Sequence, residues 1–235
     1  MKYIIQPGIK IGTPGIKNKS KKINVLTPKE VNEYRKKGYK CRERAYPLII
    51  GRIENEVICL EIWKKGSKEH TLIIPAFLLP HRIYPAFVYM FAINLYSSKP
   101  KLGQRKVAEE TRKKFNLETF AHTTIGRAMK ALAQRLTETT AIDNEFTKKS
   151  AQETKPSEAN TRVIQVGRFP LVQDTCTIRK IIKSFFYKRL KSRNQEEFEK
   201  KCDRIAIYWN THFHRPLMYT APVIGRKLTI VTQST

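Results

Sequence analysis

The sequence is short of several residue types on which common protein functions depend. It has four cysteines, and no two of them show the CxxC spacing of a zinc knuckle or a redox site. No apolar run reaches the roughly 18 residues of a membrane-spanning helix. Residues 1–15 are broken up by Pro, Gly and Lys, so they lack the core of a signal peptide. We therefore expect a soluble, cytoplasmic protein with reduced thiols, no bound metal and no cofactor.

Acidic residues are scarce as well. The 235 residues include 46 Lys and Arg against 20 Asp and Glu, and only three of the acids are Asp: Asp143, Asp174 and Asp203. Nuclease and transposase chemistry needs two or three carboxylates that hold divalent metals, and none of these three follows an apolar strand. The phosphate-binding motifs GxxxxGK[ST] and GxGxxG are also absent. We therefore assign no catalytic residues, and an enzyme is the less favoured interpretation.

What the sequence has in excess is positive charge, with a formal net charge of +26. The cations are spread along the chain: residues 1–50 carry thirteen Lys and Arg against three Glu, and residues 99–136 carry ten against three. A charge of this size attracts polyanions, with nucleic acid as the first candidate and an anionic membrane as the second. A merely solvated surface is the alternative, although such a surface repels itself when no partner is bound.

The order of residue patterns predicts an α+β fold. We expect a small antiparallel β-meander, then a helix-turn-helix core, then a C-terminal helical pair. The predicted regions are a basic arm with a short helix (1–39), the β-meander (40–83), the helix-turn-helix region (84–136), a linker (137–161) and the C-terminal helical region (162–235).

Local signals fix several of these elements. In the short helix, Thr27 is the predicted N-cap, Glu30 its capping-box partner and Gly38 the stop. Two strand-like runs follow, with the turn between them expected at Glu54–Asn55. Residues 84–98 are long and apolar, which favours a buried helix, with a strand as the alternative.

Residues 103–136 carry the signal of a helix-turn-helix. Gln104 to Phe115 form the first predicted helix, NLETFAH is a turn of suitable length, and a second helix begins near His122. The residues expected to face inward are Val107, Ala108, Thr111 and Phe115 on the first helix and Ile125, Ala128, Met129 and Leu132 on the second. A recognition helix presents small polar side chains in its first turn and a long basic side chain one turn later.

The predicted DNA-binding residues follow from this pattern. On the second helix they are Thr123, Thr124, Arg127 and Lys130. On the first helix they are Arg105, Lys106, Arg112, Lys113 and Lys114. In the basic arm they are Lys19, Lys21 and Lys22, and the first C-terminal helix adds a basic face of Arg179, Lys180, Lys183 and Lys188 that we expect to neutralise phosphates.

A resemblance rests on two stretches, HTLIIPAFLLPHRIYP and LGQRKVAEETRKKFNLETFAHTTIGRAMKAL. Together they resemble a family of short bacterial mobile-element proteins that carry a transposase-like zinc-ribbon and helix-turn-helix region, and the similarity covers roughly residues 40–136. The resemblance implies a DNA-binding protein related to transposases. The tail YWNTHFHRPLMYTAP is faintly similar to the end of integrase-type transposases, but the strands and the helix-borne glutamate of their catalytic domain are missing.

The sequence departs from this family where its hairpin carries paired zinc-binding cysteines. Lys65 and Lys68 stand in that region here. We therefore expect a zinc-free hairpin. One alternative stays open: zinc bound by Cys41, Cys59, His70 and His81, at irregular spacing.

Duplex DNA is the partner that the sequence favours, and no membrane partner is expected. RNA or single-stranded nucleic acid is an alternative, recognised by stacking on exposed aromatic residues. A degenerate or active transposase is another, and an interaction module whose charge serves solubility is the last. The sequence does not indicate the oligomeric state or the target site.

Overall fold

The computed structural model shows an α+β protein. It describes residues 1–7, 21–80, 82–99, 101–140, 163–166, 169–172, 175–186, 189–213 and 216–217. Within these ranges no helix is long and apolar enough to cross a membrane.

A five-stranded mixed sheet forms the first half of the protein. Its strands are β1 (Lys2–Gln6), β2 (Lys22–Asn24), β3 (Tyr39–Ile50), β4 (Ile53–Lys64) and β5 (Thr71–Pro75). Strands β3, β4 and β5 form the expected antiparallel meander. β1 adds to β5 and β2 adds to β4, each in parallel. Both strands lie in the segment that we expected to be a basic arm. The described ends of this segment therefore belong to the sheet.

The turn between β3 and β4 lies at Gly51 and Arg52, so the prediction of a turn at Glu54–Asn55 is wrong. Gly51 has a φ of 63°, which a two-residue hairpin loop requires and glycine adopts without strain. Asn55 is instead buried, at 6% exposure. Its side chain donates to the carbonyl of Ile53 at 3.1 Å and accepts from the backbone of Lys21 at 3.3 Å. Asn55 thus ties β2 to the hairpin.

The short helix α1 (Pro28–Lys36) confirms its sequence signals. The Thr27 hydroxyl accepts from the backbone of Glu30 at 3.3 Å, and the Glu30 carboxylate accepts from the backbone of Thr27 at 2.7 Å. Gly38 follows the helix with a φ of 80°. Val31 and Tyr34 pack against the core of the sheet.

The second half of the described chain is mainly helical. Its helices are α2 (Ala86–Ser98), α3 (Gln104–Phe115), α4 (His122–Thr140), α5 (Thr175–Phe186) and α6 (Gln195–Phe213). A small antiparallel hairpin, β6 (Val163–Val166) with β7 (Phe169–Val172), stands between α4 and α5. Helix α4 continues to Thr140, so the predicted start of a linker at Thr137 is wrong. Once a helix has formed, each further residue adds one hydrogen bond, which favours its extension into a polar segment.

Helix α2 is the centre of the helical core, and it confirms the predicted buried helix over 84–98. Met90 and Ile93 are fully buried. Apolar residues of α3, α4, α5 and α6 all join the same cluster. Helices α5 and α6 contribute Phe186 and Trp209 to it, each at 1% exposure or less. The C-terminal helices therefore complete the core of the helix-turn-helix. Helix α6 also reaches the sheet, where Asn210 donates to the carbonyl of Tyr3 at 3.2 Å.

Candidate nucleic-acid interface

Helix α3 presents its cations to solvent. Val107, Ala108 and Thr111 are buried, as predicted, and Phe115 is half-buried. The five predicted contact residues on this helix, Arg105, Lys106, Arg112, Lys113 and Lys114, are all exposed. Lys113 pairs with Glu109 at 2.8 Å, but both side chains are solvated, so the pair restrains this lysine only weakly.

The turn between α3 and α4 is fixed from both sides. Asn116 takes the left-handed conformation at φ 50°, and the backbone of Leu117 donates to the carbonyl of Arg112 at 2.9 Å, which closes the end of α3. Leu117 and Phe120 are buried. The Tyr84 hydroxyl donates to the carbonyl of Thr119 and lies 2.9 Å from its hydroxyl oxygen. These contacts set the angle at which α4 begins.

Helix α4 separates a buried face from a polar one. Ile125, Ala128, Met129 and Leu132 are all buried, as predicted. Thr123, Arg127 and Lys130 are exposed at spacings of four and three residues, so they form one stripe along the helix. We call these three residues the α4 stripe. Thr124 is half-buried beside it.

A close approach of α3 and α4 holds the α4 stripe in place. A Cβ atom added to Gly126 would lie 3.2 Å from the amide nitrogen of Gln104 on α3. The Gln104 amide is the far end of a flexible side chain that can shift by a few tenths of an ångström, so the contact shows only that α3 and α4 lie close together here. The position of Arg127 is set by its buried neighbours Ile125 and Ala128, which pack in the helical core.

This arrangement has the chemistry of a surface that binds anions and reads bases. The first turn of a helix has N–H groups without partners inside the helix, and these attract phosphate. Arg127 stands one turn further on, where a guanidinium can bond two acceptors on one guanine. Arg127 and Lys130 are both exposed, so the two charges of the α4 stripe face solvent.

The lysines predicted in the basic arm are placed less uniformly. Lys19 lies outside the described residues. The backbone of Lys21 is bonded to the sheet, since its carbonyl accepts from Glu56 at 3.0 Å. The Lys22 ammonium stands 3.5 Å from the Glu56 carboxylate, although 77% of its side chain remains exposed. Lys21 and Lys22 are thus surface cations of the sheet.

The predicted basic face of α5 needs one correction. Arg179 is half-buried: its guanidinium lies 3.7 Å from the centre of the Tyr96 ring and 3.5 Å from the carbonyl of Leu102. It packs α5 against α2 and is not placed as a free phosphate contact. Lys180 and Lys183 are exposed, and Lys188 lies outside the described residues.

The structure also shows a charged cluster that the sequence analysis missed. Glu61, only 1% exposed, accepts hydrogen bonds from Arg42, Arg44 and His70 at 2.6–2.9 Å. Burial raises the pKa of Glu61, but the hydrogen bonds from Arg44, Arg42 and His70 outweigh burial and lower it to about 2. The His70 ring stacks on Trp63 with centres 5.1 Å apart. Strand alternation could have placed Arg42 and Arg44 on one face of β3, but Glu61 joins them only through the register of β3 and β4.

The open alternative of a zinc site is contradicted by the strand register. Cys41 is paired with Ile62, and Cys59 is paired with Arg44. These positions differ by an odd number of residues along each strand, so the two cysteines point to opposite faces of the sheet. Cys41 and Cys59 therefore cannot bind one metal ion. In the described ranges, no group of three or more His, Cys, Asp and Glu side chains is placed to hold a metal.

Only one of the three aspartates, Asp203, lies among the described residues. Strand β7 ends two residues before Asp174, so the expectation that no aspartate follows an apolar strand is wrong for that residue. Asp143 and Asp174 lie outside the described residues. Asp203 is on α6, and burial together with the nearby charge of Glu199 raises its pKa to about 6.

Comparisons with protein families, with curated proteins and with solved structures found no match for this chain.

Proposed function

We propose that the protein binds duplex DNA through α3 and α4, with α4 as the recognition helix in the major groove. The observation that carries the proposal is the α4 stripe: a threonine in the first turn and two cations further along, on a helix whose opposite face is fully buried. A groove-reading helix must be held rigidly while its exposed face stays polar.

The surrounding charge supports the same partner. Helix α3 carries five exposed cations beside α4, and the whole chain has a net charge of +26. In this proposal α3, with Lys180 and Lys183 on α5, contacts phosphates, while Thr123, Thr124, Arg127 and Lys130 contact base edges and the adjoining backbone. Phosphate contacts supply affinity, and base contacts supply sequence preference.

The biological setting is a further part of the proposal. We infer a cytoplasmic DNA-binding protein of a bacterial mobile element, related to transposases and without a catalytic domain of its own. The two stretches that resemble such proteins support this inference, and the second of them spans α3, the turn and the first half of α4.

The test is binding of the full chain to duplex DNA, single-stranded DNA and RNA across a salt series. We expect duplex DNA to bind best, with the logarithm of affinity falling by several units per unit of log salt because several phosphates are contacted. Replacing Arg127 and Lys130 with Ala should weaken duplex binding more than replacing Lys29 and Lys36 of α1, which removes the same charge from two exposed positions.

Stronger binding to RNA or to single-stranded DNA than to duplex DNA would contradict the proposal. It would instead favour recognition by stacking of bases on aromatic side chains. Metal-dependent cleavage of DNA would show that the protein is an enzyme and favour the alternative of an active transposase. Absence of binding at low salt would show that the charge serves only solubility.

A further inference from the structure

The hairpin of β3 and β4 carries a second charged surface, far from α4 along the chain. Register pairs Lys40 with Trp63 and Arg42 with Glu61, and Arg44 follows two residues after Arg42, so all of them lie on the same face of the sheet. His70 joins them through its stack on Trp63. We call Lys40, Arg42, Arg44, Trp63 and His70 the hairpin patch.

Glu61 is the buried anchor of the hairpin patch. Its Oε2 atom accepts from Nε and a terminal nitrogen of Arg42 at 2.8 and 2.6 Å and from Nε of Arg44 at 2.8 Å. The imidazole Nδ1 atom of His70 stands 2.9 Å from Oε1. A carboxylate that is 1% exposed and bonded on both oxygens has little freedom, so it holds both guanidiniums in fixed positions.

The cluster supplies more positive charge than its carboxylate needs. One guanidinium would neutralise Glu61, yet two are bonded to the same oxygen. An arginine has five N–H donors; Arg42 uses two of them on Glu61 and Arg44 uses one. The two side chains are 52% and 42% exposed. Both arginine side chains are therefore partly accessible to solvent, and the Arg42 guanidinium also lies 5.7 Å from the centre of the Trp63 ring.

We infer that Arg42 and Arg44 form a phosphate-binding site, positioned by Glu61, that grips the backbone of nucleic acid. Guanidiniums bond phosphate oxygens through two donors at once, and fixing them beforehand reduces the ordering that binding requires. Lys40 adds a third exposed cation to the same face.

The position of the site fits contact with a duplex that is also bound by α4, and in this respect the inference rests on the proposed function. The tip of the hairpin meets the turn before α4, since a Cβ atom at Gly51 would lie 3.9 Å from the carbonyl of Asn116. At about 3.4 Å per residue, Arg42 and Arg44 are roughly 25–30 Å from that tip. A duplex of two helical turns, about 68 Å long, exceeds this distance.

The test follows the Nε–H signals of Arg42 and Arg44 by NMR in the full chain while a short DNA duplex is added. The same titration is repeated with a single-stranded oligonucleotide and with vesicles of anionic phospholipid. We expect the duplex to shift both signals. Unchanged signals on saturation with duplex, or shifts with vesicles alone, would overturn the inference.

A pair of charge-matched variants gives the second measurement. Replacing Arg42 and Arg44 with Gln should reduce the salt slope of duplex binding by about two, because each arginine neutralises one phosphate. Replacing Lys29 and Lys36 with Gln should leave the slope nearly unchanged. Equal slopes in the two folded variants would count against the site, and if R42Q/R44Q does not fold, the NMR titration of the unmodified chain decides.

The outcomes separate the two proposals. Duplex binding that depends on Arg127 while the Arg42 and Arg44 signals stay unchanged supports the proposed function and overturns the phosphate site. Shifts of both signals with a duplex whose affinity does not change in Arg127→Ala support the phosphate site and overturn the role of α4.

Discussion

The sheet and the helical half of the protein hold their charges in different ways. In the sheet a carboxylate, Glu61, is buried beneath cationic partners that stay partly exposed, and its pKa is lowered to about 2. In the helical half Asp203 is half-buried beside another acid, Glu199, and its pKa is raised to about 6. The cations of α3 and α4 stand on the surface over an apolar core. Burial disfavours the ionised form of both acids, and a buried carboxylate stays ionised only where hydrogen-bond donors converge on it and outweigh that cost.

The largest expected effect tests the apolar core beneath the α4 stripe. Ile125 is 1% exposed between α3 and α4, so Ile125→Ala should lower the free energy of unfolding by roughly 2–5 kcal/mol, through weaker packing and the cavity left behind. Chemical denaturation of the purified variant measures this. The exposed neighbour Thr123→Ala is the control and should change stability by less than about 0.5 kcal/mol. Similar values for the two variants would show that α4 does not pack as described.

Because Glu61 is buried in the sheet as an ion, we expect the free energy of unfolding to depend on pH in the acid range. Because folding lowers the pKa of Glu61 from 4.5 to about 2, its stabilising contribution is present above pH 4.5 and is lost as the pH falls toward 2. The size expected from the shift is on the order of 3 kcal/mol. Unfolding measured from pH 6 to pH 2 should show this loss in the natural chain and little of it in Glu61→Gln. If both proteins lose stability equally over that range, Glu61 is not held as an ionised group.

Substitutions on the exposed face of α4 should change DNA binding and leave the free energy of unfolding nearly unchanged. If Arg127 bonds a guanine through two donors, Arg127→Ala should weaken binding to the preferred site by about 1–3 kcal/mol and relax the preference at that base pair. Site selection from a random duplex library, followed by titration, checks both effects. Replacing Lys113 and Lys114 should weaken all sequences alike and reduce the salt slope by about one for each lysine that neutralises a phosphate. An unchanged preference in Arg127→Ala would mean that α4 does not read bases.

The smallest expected effect is the change in stability that follows from the pKa of Asp203 on α6. Because folding raises the pKa of Asp203 from 3.8 to about 6, the folded state favours the protonated carboxyl, and stability is lost as the pH rises through about 6. Asp203→Asn should remove this loss and raise stability at pH 7 by about 1 kcal/mol, a value reduced to allow for the side chain's partial exposure. Thermal unfolding at pH 4 and pH 7 measures the difference. A variant that is less stable at pH 7 would contradict the predicted sign.

Local signals in the sequence were sufficient for most helices. The capping box of Thr27 and Glu30 marks the start of α1, and apolar spacing predicts the bounds of α3 and the buried faces of α3 and α4. These signals act between residues three or four apart, so they can be recognised from sequence alone. The hairpin turn was misplaced because Asn55, a common turn residue, instead bonds Leu48 of β3 and Lys21, the residue before β2.

The candidate site was predictable in one half of the protein only. The α4 stripe follows from helical spacing, and its exposure matches the prediction for Thr123, Arg127 and Lys130. The hairpin patch was not foreseen, since Arg42 and Glu61 are 19 residues apart and meet only through the register of β3 and β4. Arg179 shows the opposite case: spacing puts it on a basic face, but Tyr96 on α2 covers its guanidinium.

By itself the sequence determined the excess of positive charge, the α+β class and the amphipathic helices, because these depend on composition and on neighbours within one helical turn. Tertiary structure alone decided which cations remain on the surface, how residues 1–7 and 21–26 join the sheet, and which acids are ionised. Those outcomes depend on groups distant in the sequence that compete for the same space and the same hydrogen bonds. The buried Glu61 has its low pKa only because two strands in register and the His70 side chain bring three donor residues to one carboxylate.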